Sequence, residues 1–174
     1  MRATRLVAIV FGAIVLQVAL ARYAVGGRFT FDLVLVGVVF VALQSGAVAG
    51  MLAGTIGGLL HDILSGGVVG VGGLVKTLVG YATGALGTQF VVAKAHARAL
   101  IVALATVAHI LMAAQLQAVM DQTWWPSVSW TAMLEEVAIN AVVGWLAFQM
   151  TESLPGAMAR GRSRSKSNWS RRKW

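Results

Sequence analysis

Five apolar segments divide the chain, at residues 6–21, 33–60, 68–92, 100–120 and 131–150. Segments of this kind are typical of membrane-spanning helices, which need about 20 predominantly apolar residues. The second segment is 28 residues long. As one helix it would measure about 42 Å, whereas the hydrocarbon core is about 30 Å thick. It is either one tilted helix or two short helices broken near residues 44–46.

The distribution of basic residues decides between these alternatives. Lys and Arg concentrate in cytoplasmic flanks, and here they lie at the N-terminus, in the loop around Lys94 and Arg98, and in the C-terminal tail. Six spans place all three on the cytoplasmic side, whereas five would place the loop and the tail outside. We therefore expect an all-α polytopic membrane protein with six transmembrane helices and cytoplasmic termini. The long segment then forms a hairpin of residues 29–43 and 46–63.

The first apolar segment also fits a secretory signal peptide, with Ala19-Leu20-Ala21 as the cleavage pattern. We expect an uncleaved first span, because the apolar run is long for a signal peptide and further spans follow.

Composition separates the chain into two regions. The net charge is +8, but residues 160–174 hold seven basic residues and no acid, so the rest carries only +1. A nucleic-acid-binding domain is therefore not indicated. We expect a transmembrane domain at 1–154 and a disordered basic tail at 155–174, which fixes topology or contacts anionic lipid. The basic residues of this tail are Arg160, Arg162, Arg164, Lys166, Arg171, Arg172 and Lys173.

Small residues recur every four positions in the stretch GAVAGMLAGTIGGLLHD. This first ladder consists of Gly46, Gly50, Gly54 and Gly58, and a second consists of Gly72, Lys76, Gly80 and Gly84. In lipid, small residues allow helix backbones to approach closely. The ladders predict packing between their own two helices; the alternatives are a groove for a partner helix, or no special role.

Ionisable residues within spans are costly and usually paired or functional. If residues 63–71 form a turn, the register allows an ion pair between Asp62 and Lys76; alternatively, Asp62 lies among the lipid headgroups. Either Glu135 or Glu136, together with Asn140, lines the bundle interior, or the two acids form an interfacial cap.

Lone histidines such as His109 are typically hydrogen-bonded residues of a bundle. No sequence motif of a hydrolase, zinc protease or P-loop enzyme is present. The Glu-Glu doublet of intramembrane CAAX-type proteases is followed by an arginine at the position that Asn140 occupies here. We therefore expect no enzyme, no cofactor and no bound metal.

The glycine-rich span and the loop after it resemble the rod shape-determining MreD family. That family has a span ending in glycine, two or three apolar residues and aspartate, then a short loop and a second glycine-rich run. The matching positions are Gly50, Gly54, Gly58, Asp62, Gly70 and Leu74, and Asn140 in the last span is also family-like. Lys76 and the basic tail depart from the pattern.

The resemblance implies a non-catalytic scaffold of the bacterial elongation machinery, the Rod complex, in the inner membrane. Members of the family associate with MreC and, through it, act with MreB, the RodA glycosyltransferase and a penicillin-binding transpeptidase in sidewall peptidoglycan synthesis. Their fold is similar to the substrate-binding subunits of energy-coupling-factor vitamin transporters. The alternative is therefore such a vitamin-binding subunit, whose ligand would meet Asp121, Trp124 and Trp125 in one external loop and Arg22, Tyr23 and Arg28 in another.

Overall fold

The computed structural model describes residues 11–17, 19, 31–66, 68–89, 95–124 and 128–170. Residues 11–17 are helical and are called α1. Five further helices follow: α2 (Leu33–Ser45), α3 (Ala47–Ser65), α4 (Val71–Gln89), α5 (Ala95–Met120) and α6 (Trp130–Ser170). The described residues contain no strand, so this part of the chain is all-α as expected.

The short helix α2 is the centre of the bundle. It contacts α3, α4, α5 and α6, and Ile14 of α1 joins Val34 and Val38 in one apolar cluster. All residues from Leu33 to Ala42 are buried. A helix that is apolar on every side belongs in the interior, so the composition of α2 accounts for its position.

The helical break predicted near residues 44–46 is confirmed. Gly46 has φ +88°, a conformation that side chains with a Cβ rarely adopt. Its N–H donates to the carbonyl of Ala42 at 2.9 Å, and α3 begins at the next residue. At 13 residues, α2 is about 20 Å long, shorter than the hydrocarbon core.

Three of the described helices are long and apolar enough to cross a membrane, at Ala47–Ser65, His96–Met120 and Trp130–Met150. Helix α4 has 19 residues, but its glycines, threonines and Lys76 make it less apolar. The outer faces of the bundle expose large apolar side chains such as Leu52, Ile56 and Leu104. These features are those of a membrane protein, and the count of six spans stays a prediction.

The last helix continues beyond the apolar segment. Its backbone is helical through Ser170, where we expected disorder from residue 155 onward. Alanine, methionine and arginine, which are good helix formers, are frequent between residues 157 and 164 and favour this continuation. The boundary between the two expected domains stays a prediction.

Candidate functional site

The two glycine ladders lie against each other, on α3 and α4. A Cβ on Gly58 would come within 2.6 Å of the Gly73 Cα, and one on Gly54 would overlap the Lys76 backbone. Gly50 meets Gly80 in the same way. The groove of α3 is thus filled by α4 of the same chain.

The ends of the ladders have other neighbours. A Cβ on Gly84 would lie 2.6 Å from Ala47 and Gly46, whereas one on Gly72 would overlap the Asp62 carboxylate. The α2–α3 turn therefore packs against α4 at one end of the helix pair. At the other end, the side chain of Asp62 fills the space that Gly72 leaves.

Asp62 stabilises the loop between α3 and α4. Its Oδ2 accepts hydrogen bonds from the backbone N–H groups of Gly70 (2.9 Å) and Gly73 (3.0 Å). Two such bonds satisfy a buried carboxylate without a cation. The ion pair predicted between Asp62 and Lys76 is wrong, because backbone N–H groups of the loop and of the first turn of α4 occupy this carboxylate and Lys76 pairs elsewhere.

Lys76 pairs instead with Asp32, at the N-terminus of α2. The distance between Nζ and Oδ2 is 2.7 Å, and the two side chains are 2% and 6% exposed. Nζ also lies 3.2 Å from Nε2 of His109. A lysine ammonium has only donors, so Nε2 is the acceptor and His109 carries its proton on Nδ1.

Asp32 connects three helices and was not among the site residues predicted from the sequence. Besides pairing with Lys76 of α4, it accepts the Leu35 N–H at 2.9 Å through Oδ1 as the N-cap of α2. Its own N–H donates to Oδ1 of Asn140 on α6 at 3.1 Å. An acid directly before an apolar helix was the available signal for the cap, but no pattern along the chain pointed to the partner on α4.

Asn140 is fully buried and extends the connection to α5, because its Nδ2 donates to Oγ1 of Thr106 at 3.4 Å. This places Asn140 in the bundle interior, as one of the two sequence alternatives had it.

Gln17 attaches α1 to the same region. Its Oε1 accepts the Val34 N–H at 3.1 Å, and its Nε2 donates to the carbonyl of Phe31 at 3.3 Å. The second Nε2 proton points to Nε2 of His61 at 2.9 Å. We call these linked side chains the polar cluster: Gln17, Asp32, His61, Lys76, His109 and Asn140.

A polar cavity of about 300 Å³ opens beside this cluster, above the N-terminus of α2. Glu136 is half-buried and lines it, whereas the neighbouring Glu135 is exposed on the outer face of α6. The two acids therefore point to different environments. The cavity is lined by Gln17, Phe31, Asp32, His61, Asp62, Ser65, Val68, Val71, Gly72, Lys76, His109, Ala113, Gln117 and Glu136.

Other predicted positions lie apart from this cavity or outside the described residues. Trp124, which the vitamin-binding alternative placed beside the ligand, does not line this cavity and is 95% exposed. The described part of the chain contains no group of three or more His, Asp or Glu side chains placed to hold a metal ion. The side chains of Arg160, Arg162, Arg164 and Lys166 are outside the described residues, as are Arg22, Tyr23, Arg28, Trp125, Arg171, Arg172 and Lys173.

The fold and the polar cluster define an α-helical membrane protein whose buried charges connect its helices. The model of the family described as rod shape-determining protein MreD matches residues 3–151, most of the chain. The chain therefore belongs to the MreD family, and its role is in the determination of rod shape. This family consists of structural proteins and is not known for enzymatic activity. Neither a curated protein nor a solved structure matches the chain.

Proposed function

We propose that this chain is a non-catalytic scaffold of the bacterial elongation machinery in the cytoplasmic membrane, which binds MreC and supports sidewall peptidoglycan synthesis. The family match over residues 3–151 carries the proposal. Through MreC, the chain acts with MreB, RodA and a penicillin-binding transpeptidase.

The chemistry of the interior is consistent with a scaffold. Asp32 and Lys76 neutralise each other, and Asp62 is satisfied by backbone donors. Groups engaged in this way hold helices together and are not free to act as a nucleophile or general base. The six-span topology with cytoplasmic termini belongs to the same proposal, and it places the polar cavity at the outer end of the bundle.

Co-purification tests the interaction with MreC. The tagged chain is extracted from membranes of its own host in mild detergent, and an unrelated tagged polytopic protein serves as the control. We expect MreC to co-purify with this chain and not with the control. Recovery of MreC at the control level would contradict the proposal.

A second candidate function is the substrate-binding subunit of an energy-coupling-factor vitamin transporter. The polar cavity favours it, because about 300 Å³ is at the lower end of the range for small-molecule sites. Deletion of the gene would then abolish uptake of a vitamin and leave cell shape unchanged. Transporter ATPase genes beside it would point the same way, whereas neighbouring MreC and transpeptidase genes favour the scaffold.

The basic tail is proposed to bind anionic lipid at the cytoplasmic surface. Each Lys or Arg near such a surface contributes about 1 kcal/mol, and the tail has seven of them. Truncation before Arg160 should reduce the binding of the solubilised chain to vesicles rich in phosphatidylglycerol. Unchanged binding would leave the tail as a topology signal alone.

A further inference from the structure

More acidic than basic side chains line the polar cavity. Three carboxylates line it, those of Asp32, Asp62 and Glu136, against the single ammonium of Lys76. Lys76 is already paired with Asp32, and Asp62 is satisfied by backbone N–H groups. The two histidines add no fixed positive charge when they are neutral. The site is therefore suited to a cation.

Glu136 is the acid that lacks a counter-charge. Among the described residues, the structure gives it neither a hydrogen bond nor an ion pair, although it lines the same cavity as the ion-paired cluster. A carboxylate inside a membrane protein is costly unless it is paired. A cationic group in the cavity would supply the missing partner.

A second group in the cavity wall also lacks a partner. Nδ1 of His109 is buried and has no hydrogen-bond partner among the described residues. Because Nε2 accepts from Lys76, Nδ1 carries the proton and is an unused donor. Nδ1 is closed off from the cavity itself, so the unpaired group that the cavity offers to a ligand is the Glu136 acid, and its complement is an ammonium group.

We propose that the polar cavity binds a primary ammonium group, with the Glu136 carboxylate as its counter-charge. A volume of about 300 Å³ accommodates a small amino alcohol or the headgroup of an aminophospholipid. Both the free amino alcohol and the lipid headgroup carry a primary ammonium group. The binding is separate from the proposed association with MreC.

Two probes distinguish the sources. The full-length chain is reconstituted in nanodiscs of phosphatidylglycerol, which has no amine, and titrated with ethanolamine, with ethylene glycol as the neutral control. In parallel, native mass spectrometry compares how well phosphatidylethanolamine and phosphatidylglycerol stay bound. Ethanolamine binding identifies a free amine as ligand, whereas selective retention of phosphatidylethanolamine alone identifies the lipid headgroup.

The adjacent acids supply a matched pair of variants. Glu136→Gln should weaken the binding of whichever amine is the ligand at least tenfold, while Glu135→Gln on the exposed face should leave it unchanged. Glu136→Asp should restore part of the loss, and a thermal melt of each variant checks that it folds.

Three results would overturn the proposal. The first is that neither ethanolamine nor phosphatidylethanolamine binds. The second is that Glu135→Gln weakens the binding of the amine as much as Glu136→Gln does. The third is loss of MreC co-purification in Glu136→Gln while neither amine binds, because the acid would then serve the partner protein. That last outcome leaves the proposed scaffold function intact.

Discussion

Asp32 is the residue on which most of the polar cluster depends. It caps α2, pairs with Lys76 and donates its N–H to Asn140. Removal of one member of a buried ion pair leaves the other charge without compensation, which costs far more than the net contribution of the pair itself.

Lys76→Met is therefore expected to destabilise the protein by about 3–5 kcal/mol, the range for breaking a buried pair. The double variant Asp32→Asn with Lys76→Met should recover part of this loss, because both charges are gone. Thermal unfolding in detergent measures both variants. A double variant no more stable than the single one would show that Asp32 is not the partner.

The ion pair between Asp62 and Lys76, which the sequence predicted, can be tested by a separate experiment. Exchange of the charges at Asp62 and Lys76 should not rescue the single reversals, since Asp62 binds backbone N–H groups of the α3–α4 loop and of the first turn of α4. Restored stability in the exchanged variant would contradict the structure.

The residues of the cluster were only partly predictable from the sequence. One of the two alternatives placed Asn140 and one of the adjacent acids in the interior; Asn140 is buried there, and Glu136 is half-buried and lines the polar cavity. The partner of Lys76 was not found, because residues 32 and 76 are far apart in sequence and meet only through the packing of α2 against α4. Local register made Asp62 the nearer candidate.

At the scale of helices, the close packing of the glycine ladder and the helix break at Gly46 follow directly from the sequence. Glycine at every fourth position of α3 gives a face without side chains, and α4 occupies it. The burial of α2 on all sides also follows from its uniform apolarity. The arrangement of the other helices around α2 does not, because helix periodicity reveals which faces are apolar and not which neighbours they meet.

Gly54→Ala tests the close approach of α3 and α4. The added Cβ would overlap the backbone of Lys76, so we expect a loss of about 1–3 kcal/mol from overpacking and a lower melting temperature. Gly12→Ala is the matched control, because its Cβ would meet nothing within 4 Å. Equal melting temperatures for the two variants would mean that the helices do not pack this closely.

At the scale of the whole molecule, orientation in the membrane determines where the polar cavity opens. In the proposed topology, which follows the positive-inside rule, the α2–α3 turn lies in the cytoplasm and the α3–α4 loop lies outside. Gln44 and Val68, one near each turn, are both exposed.

Single cysteines test this orientation, since the chain has none of its own. A membrane-impermeant maleimide added to intact spheroplasts should label Val68→Cys and leave Gln44→Cys unlabelled until the cells are lysed. The reverse pattern would invert the topology and place the cavity on the cytoplasmic side.

Cell shape under depletion is the most direct test of the central claim, a role in the determination of rod shape. The chain is placed under a repressible promoter in its own rod-shaped host, and the aspect ratio of the cells is measured over several generations of repression. We predict that the cells become round and that re-expression of the wild-type chain restores rods. Cells that remain rod-shaped after the protein has disappeared from the membrane would contradict the account.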